Sequence, residues 1–136
     1  MTFPFRWLTS HFKADAPSKH DTTKAKAKAI ADEWAACKRA VYQRDGYRCR
    51  CCGAAVDTRS TSLLTAPHPH HIVYRSKGRN DSTSNVVLLC AGCHDLVHVK
   101  KSLSVEGDAD KQLLFWARED SGRWYLLKPE ANRKRR

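Results

Sequence analysis

Two pairs of cysteines have the spacing of a metal site. Cys49 and Cys52 form one C-x-x-C pair, and Cys90 and Cys93 form a second. Two intervening residues allow both thiolates of a pair to reach one tetrahedral ion, with Zn–S bonds of about 2.3 Å. We find no secretory signal and expect a reducing compartment, which favours metal over disulfides. The spacing therefore predicts a structural Zn²⁺ on these four cysteines, with Cys51 as a spare thiol.

Four histidines lie between and just after the cysteine pairs. A short helix after Cys93 would place His94 and His98 one turn apart on one face, so that both imidazoles could reach one ion. Neighbours on a strand point to opposite faces, so one of His70 and His71 could bind the ion while the other handles a proton. This division suits phosphodiester hydrolysis, in which a metal polarises the phosphate and a neutral imidazole activates water.

Each of these residues also has an ordinary interpretation. A histidine pair on a polar helix face is usually solvated, and Asn85 could simply turn the chain before a strand. We treat His11, His20 and His68 as surface residues because they show no partners. The grouping inside a four-cysteine frame nevertheless favours a functional site.

A helix is predicted ahead of the first cysteine pair. Thr22 or Thr23 can cap it, and the alternation of Lys and Ala over 24–29 suits helix formation. An apolar stripe at helical spacing then predicts the buried face, with Cys37 as a core residue; its members are Ile30, Trp34, Cys37 and Val41. Asp45-Gly46 ends the helix. We therefore divide this part into an irregular arm, 1–22, and a basic amphipathic helix, 23–44.

The elements that position the histidines follow. Ile72 and Val73 belong to a short β-prone run, residues 75–85 form a polar loop, and 86–89 form a buried strand. Apolar runs at 113–116 and 124–127 around Asp120-Ser121-Gly122 predict a hairpin. The fold class is α+β, with a core at 45–101 that holds the cysteine and histidine pairs, a β-hairpin extension at 102–128 and a basic tail at 129–136.

The charge balance indicates a polyanionic partner. The chain has 25 Lys and Arg against 14 Asp and Glu, a net charge of +11. Nucleic acid is the first candidate and an anionic membrane surface the second. No apolar run approaches the roughly 18–20 residues of a membrane span. We expect a soluble protein in the cytoplasm of a bacterial or phage-infected cell.

Several stretches resemble the HNH endonucleases; they are YRCRCCG at 47–53, HHI at 70–72, Gly78 and NVVLLCAGCH at 85–94. The resemblance covers about residues 44–98. It implies a ββα-metal fold, a β-hairpin and a helix around a catalytic divalent ion. By position, His71 matches the general base, Asn85 the residue that holds the loop and the base, and His94 a metal ligand.

One departure refines the ligand set. Many HNH proteins with zinc knuckles have Asp before the catalytic histidine, where this chain has His70. The His-His pair is similar to the colicin-type nucleases, which implies a catalytic ion on His70, His94 and His98. Imidazole ligands favour transition ions such as Zn²⁺, Ni²⁺ or Mn²⁺, while Mg²⁺ stays open.

The leading prediction is a metal-dependent HNH endonuclease that hydrolyses double-stranded DNA. Basic residues flanking the site are predicted phosphate contacts, namely Arg75, Lys77, Arg79, Lys100 and Lys101. The alternative, a non-catalytic zinc-stabilised nucleic-acid-binding module, gives His71 and the pair of His94 and His98 no role. A lysine-rich membrane-surface protein ranks last, because no obvious amphipathic face is left exposed for a membrane. A protein partner is expected only within a phage-packaging or restriction system.

Overall fold

The protein folds as two helices and two small antiparallel sheets. The structure, a computed structural model, describes residues 16, 18–62 and 64–127. In chain order the elements are α1 (Lys19–Arg44), β1 (Pro67–His71), β2 (Val86–Cys90), α2 (Ala91–His98), β3 (Leu103–Gly107), β4 (Leu113–Arg118) and β5 (Trp124–Leu127). The predicted α+β class is confirmed. The predicted basic tail and most of the predicted N-terminal arm lie outside the described residues.

Helix α1 begins earlier than predicted, so the proposed boundary at residue 23 is wrong. The Ser18 side chain caps the helix by accepting from the Asp21 N–H, while the hydroxyls of Thr22 and Thr23 donate to the Lys19 carbonyl. The two threonines therefore lie within the first turns. Every described side chain over 19–33 is exposed.

Only the C-terminal half of α1 packs on the core. Cys37 and Val41 are buried as predicted, and Trp34 is half-buried. Ile30, the first member of the predicted stripe, is 40% exposed. The buried stripe therefore begins at Trp34, one turn later than the spacing indicated.

Strands β1 and β2 form the sheet on which the histidines lie. They pair antiparallel, with His70 opposite Val87 and His71 opposite Val86. Strand β1 ends at His71, so Ile72 and Val73 follow the strand rather than forming it. Prolines 67 and 69 are tolerated because β1 is an edge strand. All five residues of β2 are buried, and α2 follows it without a loop.

The C-terminal sheet has three strands in the order β3-β4-β5. The predicted hairpin corresponds to β4 and β5, and the sequence analysis missed β3. Its buried residues, Leu103 and Val105, belong to the same core cluster as Leu113 and Phe115 of β4 and the side chains of β2. The extension is therefore packed into the nuclease-like core rather than appended to it.

A buried carboxylate joins the end of α1 to β2. The Asp45 side chain is 0% exposed and forms ion pairs with Arg44 at 2.8 Å and Arg50 at 2.7 Å. It also accepts from the Leu88 N–H at 3.0 Å. Asp45 thus does more than end the helix, because its paired charge fixes α1 against the central strand. No helix in the described part of the chain has the length and hydrophobicity needed to span a bilayer.

Candidate metal centres

The four predicted cysteines come together at one point of the fold. Cys49 and Cys52 lie in the turn after α1, Cys90 ends β2, and Cys93 is in the first turn of α2. Their sulfurs all lie within 4.8 Å of one another. Two thiolates on a tetrahedral zinc would be about 3.8 Å apart, and the sulfurs of Cys52 and Cys90 are 3.8 Å apart. This donor set therefore fits Zn²⁺.

The protonation of these thiols would be coupled to the binding of a cation. A hydrogen bond with Cys93, together with burial, raises the pKa of the Cys49 thiol well above its usual range. Burial is the main cause that raises the pKa of Cys52 to about 11. Thiolates at this point need a positive charge beside them, so zinc binding must release protons and its free energy contributes to folding.

Three of the predicted histidines form a second cluster. The ring nitrogens of His70, His94 and His98 lie within 4.8 Å of one another. His70 Nδ1 is 3.1 Å from His98 Nε2. Two imidazole nitrogens on one ion are about 2.9 Å apart at a right angle and about 3.4 Å apart in a tetrahedron, given bonds of about 2.0–2.1 Å. The observed separation lies between these values, so the cluster fits a divalent ion.

The surroundings of this cluster favour neutral imidazoles. Burial, and then repulsion from the neighbouring histidines, lowers the pKa of His70 to about 4. Burial and repulsion from His98 likewise lower the pKa of His94 to about 4. Neutral imidazole is the form that binds metal. Among the described residues, the two groups of three or more potential ligand side chains that lie close enough to share an ion are these histidines and the four cysteines.

His71 lies outside the cluster, with its own partners. Its Nε2 is 2.8 Å from Asp81 Oδ1, and its ring stacks on Trp34 with centroids 4.8 Å apart. A carboxylate only accepts, so Nε2 carries the hydrogen, and in the neutral imidazole the lone pair is then on Nδ1. His71 is therefore oriented as a carboxylate–histidine pair whose second nitrogen can take a proton.

Asp81 is a residue that the sequence analysis missed. The sequence places it only within the polar loop 75–85, and no spacing along the chain links it to His71. Burial opposes its ionisation, but hydrogen bonds from His71 and Arg79 outweigh that effect and lower the pKa of the Asp81 carboxyl. The signal that could have found it is a carboxylate placed in the loop that joins the histidine strand to β2.

Asn85 fastens that same loop. Its side-chain amide donates to the carbonyls of Val73 and Asn80, and its side-chain oxygen accepts from the Val73 N–H. Asn85 is buried, so these bonds satisfy a group that would otherwise be costly to bury. Since the loop carries Asp81, the contacts of Asn85 hold the segment that orients His71.

The predicted phosphate-contacting residues fall into two groups. Arg79 bonds Asp81 at 2.8 Å, and the Arg75 guanidinium lies 4.7 Å from the centre of the Trp34 ring. Lys77, Lys100 and Lys101 are exposed. Asp81 therefore neutralises part of the charge of Arg75 and Arg79, while the three lysines remain exposed at the surface.

His68 is not the isolated surface residue that its sequence context indicated. It is half-buried, and its ring centre lies 4.7 Å from that of His94. Alternation along β1 places it on the same face as His70. That two-residue spacing is the signal that could have linked the two.

A strand pair and a helix that gather one four-cysteine and one three-histidine cluster define a small metal-binding domain of mixed helix and sheet. The family model for HNH endonuclease matches residues 49–100. The segment from the first paired cysteine to just after α2 is therefore similar to an HNH endonuclease domain. Comparisons with curated proteins and with solved structures gave no match.

Proposed function

We propose that this protein is a metal-dependent endonuclease that hydrolyses phosphodiester bonds in double-stranded DNA. The observation that carries the proposal is the arrangement of His70 and His71 on β1. His70 belongs to a three-histidine cluster suited to a divalent ion, and His71 pairs with the largely buried carboxylate of Asp81. The two chemical requirements of metal-assisted hydrolysis thus lie on neighbouring residues.

His70, His94 and His98 would hold the catalytic ion, which supplies charge stabilisation to the phosphate. Three protein ligands would leave such an ion accessible to the phosphate. His71 Nδ1 takes a proton from the attacking water as the water oxygen bonds to phosphorus. The P–O bond to the leaving sugar oxygen breaks, and that oxygen takes a proton from solvent. Asp81 positions His71 and stabilises the imidazolium that forms.

The surface charge supports DNA as the substrate. The net charge of +11 attracts the phosphate backbone without regard to sequence. Lys77, Lys100 and Lys101 are exposed on the segments that follow β1 and α2, and we assign them phosphate contacts. Arg75 and Arg79 are assigned the same role, shared with their contacts to Asp81.

A non-catalytic zinc-stabilised binding module would explain the cysteines and the charge. It would leave the pairing of His71 with Asp81 and the clustering of three histidines without a role. The nuclease proposal accounts for all four features, and we prefer it for that reason.

Plasmid cleavage tests the proposal. Purified protein is depleted of exchangeable ions with a chelator, and its zinc content is measured to verify that the four-cysteine ion is retained. Supercoiled DNA is then incubated with Mg²⁺, Mn²⁺, Ni²⁺ or Zn²⁺ separately. We expect cleavage with at least one ion and none without. Tight DNA binding with no cleavage under any ion would favour the binding module.

A further inference from the structure

An open groove of about 640 Å³ adjoins the histidine cluster. It lies where the loop after β1, the end of α2 and the C-terminal sheet meet. Its lining includes Tyr74, Val97, His98, Lys101, Leu103 and Trp124. Val97 and Leu103 are buried, and the two aromatic residues are partly exposed. The groove therefore combines an aliphatic base with accessible aromatic rings.

The groove is continuous with the site of the catalytic ion. His98 belongs to both. The ring of Tyr74 lies 5.7 Å from that of His98 and 5.9 Å from that of His70, measured between centroids. A molecule in the groove would therefore lie directly beside a phosphate held at the cluster.

Trp124 is held in position by the C-terminal sheet. It pairs across the strands with Arg118, whose guanidinium carbon lies 6.0 Å from the centre of the indole ring. Despite this contact, 42% of Trp124 remains exposed. A fixed, exposed aromatic ring is a ready surface for stacking.

The groove also carries a cationic residue. Lys101 is exposed, and its backbone adopts a positive φ of 51°, which is unfavourable for a residue with a side chain. The hydrogen bond from the Ser102 N–H to the Leu96 carbonyl, at 2.9 Å, holds the chain around it. Proteins that bind single-stranded nucleic acid combine positive charge with aromatic rings in this way.

We propose that this groove receives one unpaired nucleobase next to the bond that is cut, with Tyr74 and Trp124 providing stacking surfaces and Lys101 contacting the adjoining phosphate. The inference rests on the proposed nuclease function and adds a preference for duplex DNA with an unpaired nucleotide at the cleavage site. A base paired within a duplex must first unpair and unstack, so a fully paired substrate fills the groove less readily.

Fluorescence of 2-aminopurine gives a readout independent of cleavage. Two short duplexes differ only in whether a central 2-aminopurine is unpaired or paired with thymine. Each is titrated with the His71→Ala protein, which prevents cutting during the measurement. The same protein with Trp124→Ala or Trp124→Phe added is compared with one carrying Tyr125→Ala. Tyr125 is 44% exposed, next along β5 and on the opposite face.

Binding should quench the unpaired 2-aminopurine and not the paired one. Affinity for the unpaired duplex should exceed that for the paired duplex, and Trp124→Ala should weaken it about 5- to 150-fold, the range for loss of one stacked base. Trp124→Phe should keep most of the preference, and Tyr125→Ala should keep all of it. With His71 restored, the cleavage rates should follow the same order.

Equal effects of Trp124→Ala and Tyr125→Ala, or equal affinity for the two duplexes, would overturn the inference. So would a Trp124→Ala variant that changes only the oligomeric state in sedimentation, because the groove would then join copies of the chain. Quenching without cleavage by the wild-type protein would contradict the proposed nuclease function and leave the base-binding groove standing. Equal cleavage of the paired and unpaired duplexes would support the nuclease function and contradict the base-binding groove.

Discussion

At the scale of single residues, β1 gives two adjacent histidines different surroundings. His70 is 3% exposed and faces two other imidazoles, whereas His71 meets a carboxylate and an indole ring. Alternation along a strand is sufficient to produce this separation. The same kind of side chain can therefore hold an ion at one position and accept a proton at the next.

The role of Asp81 can be tested separately from that of His71. Asp81→Asn replaces an acceptor with a group that cannot stabilise an imidazolium. We expect kcat to fall at least tenfold, within the loss of about 10⁴-fold known for the comparable aspartate of Ser-His-Asp triads. KM for DNA should not rise, because Arg75 and Arg79 are no longer neutralised by Asp81, and the protein should remain folded at the assay temperature.

Asp32→Asn is the matched control, because Asp32 is an exposed carboxylate on α1 whose ion pair with Lys28 lies at the surface. A fall in thermal stability that tracks the fall in kcat would show that Asp81 acts by holding the loop. It would then have no specific role towards His71.

At the scale of elements, the order β1, loop, β2, α2 brings the ligands together. The helix supplies His94 and His98 one turn apart, and the strand supplies His70. The buried β2 comes between them in the chain and ends in Cys90 of the four-cysteine cluster. Both clusters thus depend on one central strand, which is fastened to α1 by Asp45.

Asp45→Ala tests that connection. Removal of the carboxylate leaves Arg44, Arg50 and the Leu88 N–H without their shared partner, and loss of one member of a buried ion pair costs about 3–5 kcal/mol. The partial exposure of both arginines reduces this, so we expect a loss of about 3 kcal/mol in the free energy of unfolding by denaturant. Asp110→Ala removes a 41% exposed partner of the same Arg44 and should cost about 1 kcal/mol or less. Equal losses in the two variants would contradict the assigned role.

The elements also show what the sequence could and could not predict. Spacing alone identified the cysteine pairs, the pair on α2 and the divergence of His70 from His71, because these follow from local geometry. The beginning of α1 was misplaced because serine and threonine are both good N-caps, so the sequence did not distinguish Ser18 from Thr22 or Thr23. Strand β3 was missed because five residues with two buried positions give little signal.

The contacts of Asp81 and His68 were missed for a different reason. Each depends on how a loop or strand returns against another element, 10 residues away for Asp81 and His71. A pattern in the sequence records spacing along the chain and not the distance across it.

At the scale of the whole molecule, the four-cysteine cluster brings distant parts of the chain together. The cysteine pairs join the turn after α1 to the junction of β2 and α2, so an ion bound there would connect these segments. Cys90→Ser should leave a poorly folded protein, because the binding free energy of a structural zinc is also folding free energy. Elemental analysis after dialysis should find one tightly held zinc in the wild type and in Cys51→Ser. A folded, active, zinc-free Cys90→Ser protein would refute this.

The charge of the molecule makes a prediction about DNA binding. Affinity should fall steeply with salt, since neutralised phosphates release counterions. Lys100→Gln with Lys101→Gln should reduce the slope of log K against log salt by about 2, one for each lost phosphate contact. Fluorescence anisotropy with His71→Ala as the parent measures this without cleavage. An unchanged slope would place the DNA elsewhere on the surface.

The central claim is that one histidine accepts the proton while three others hold the ion, and single-turnover DNA cleavage measured against divalent-ion concentration tests it most directly. His71→Ala should lower the maximal rate by about 10²–10⁴-fold and leave the half-saturating ion concentration unchanged. His94→Ala should raise that concentration. The account would be contradicted if His71→Ala shifted the ion requirement, or if His94→Ala lowered the maximal rate at saturating ion without shifting the requirement.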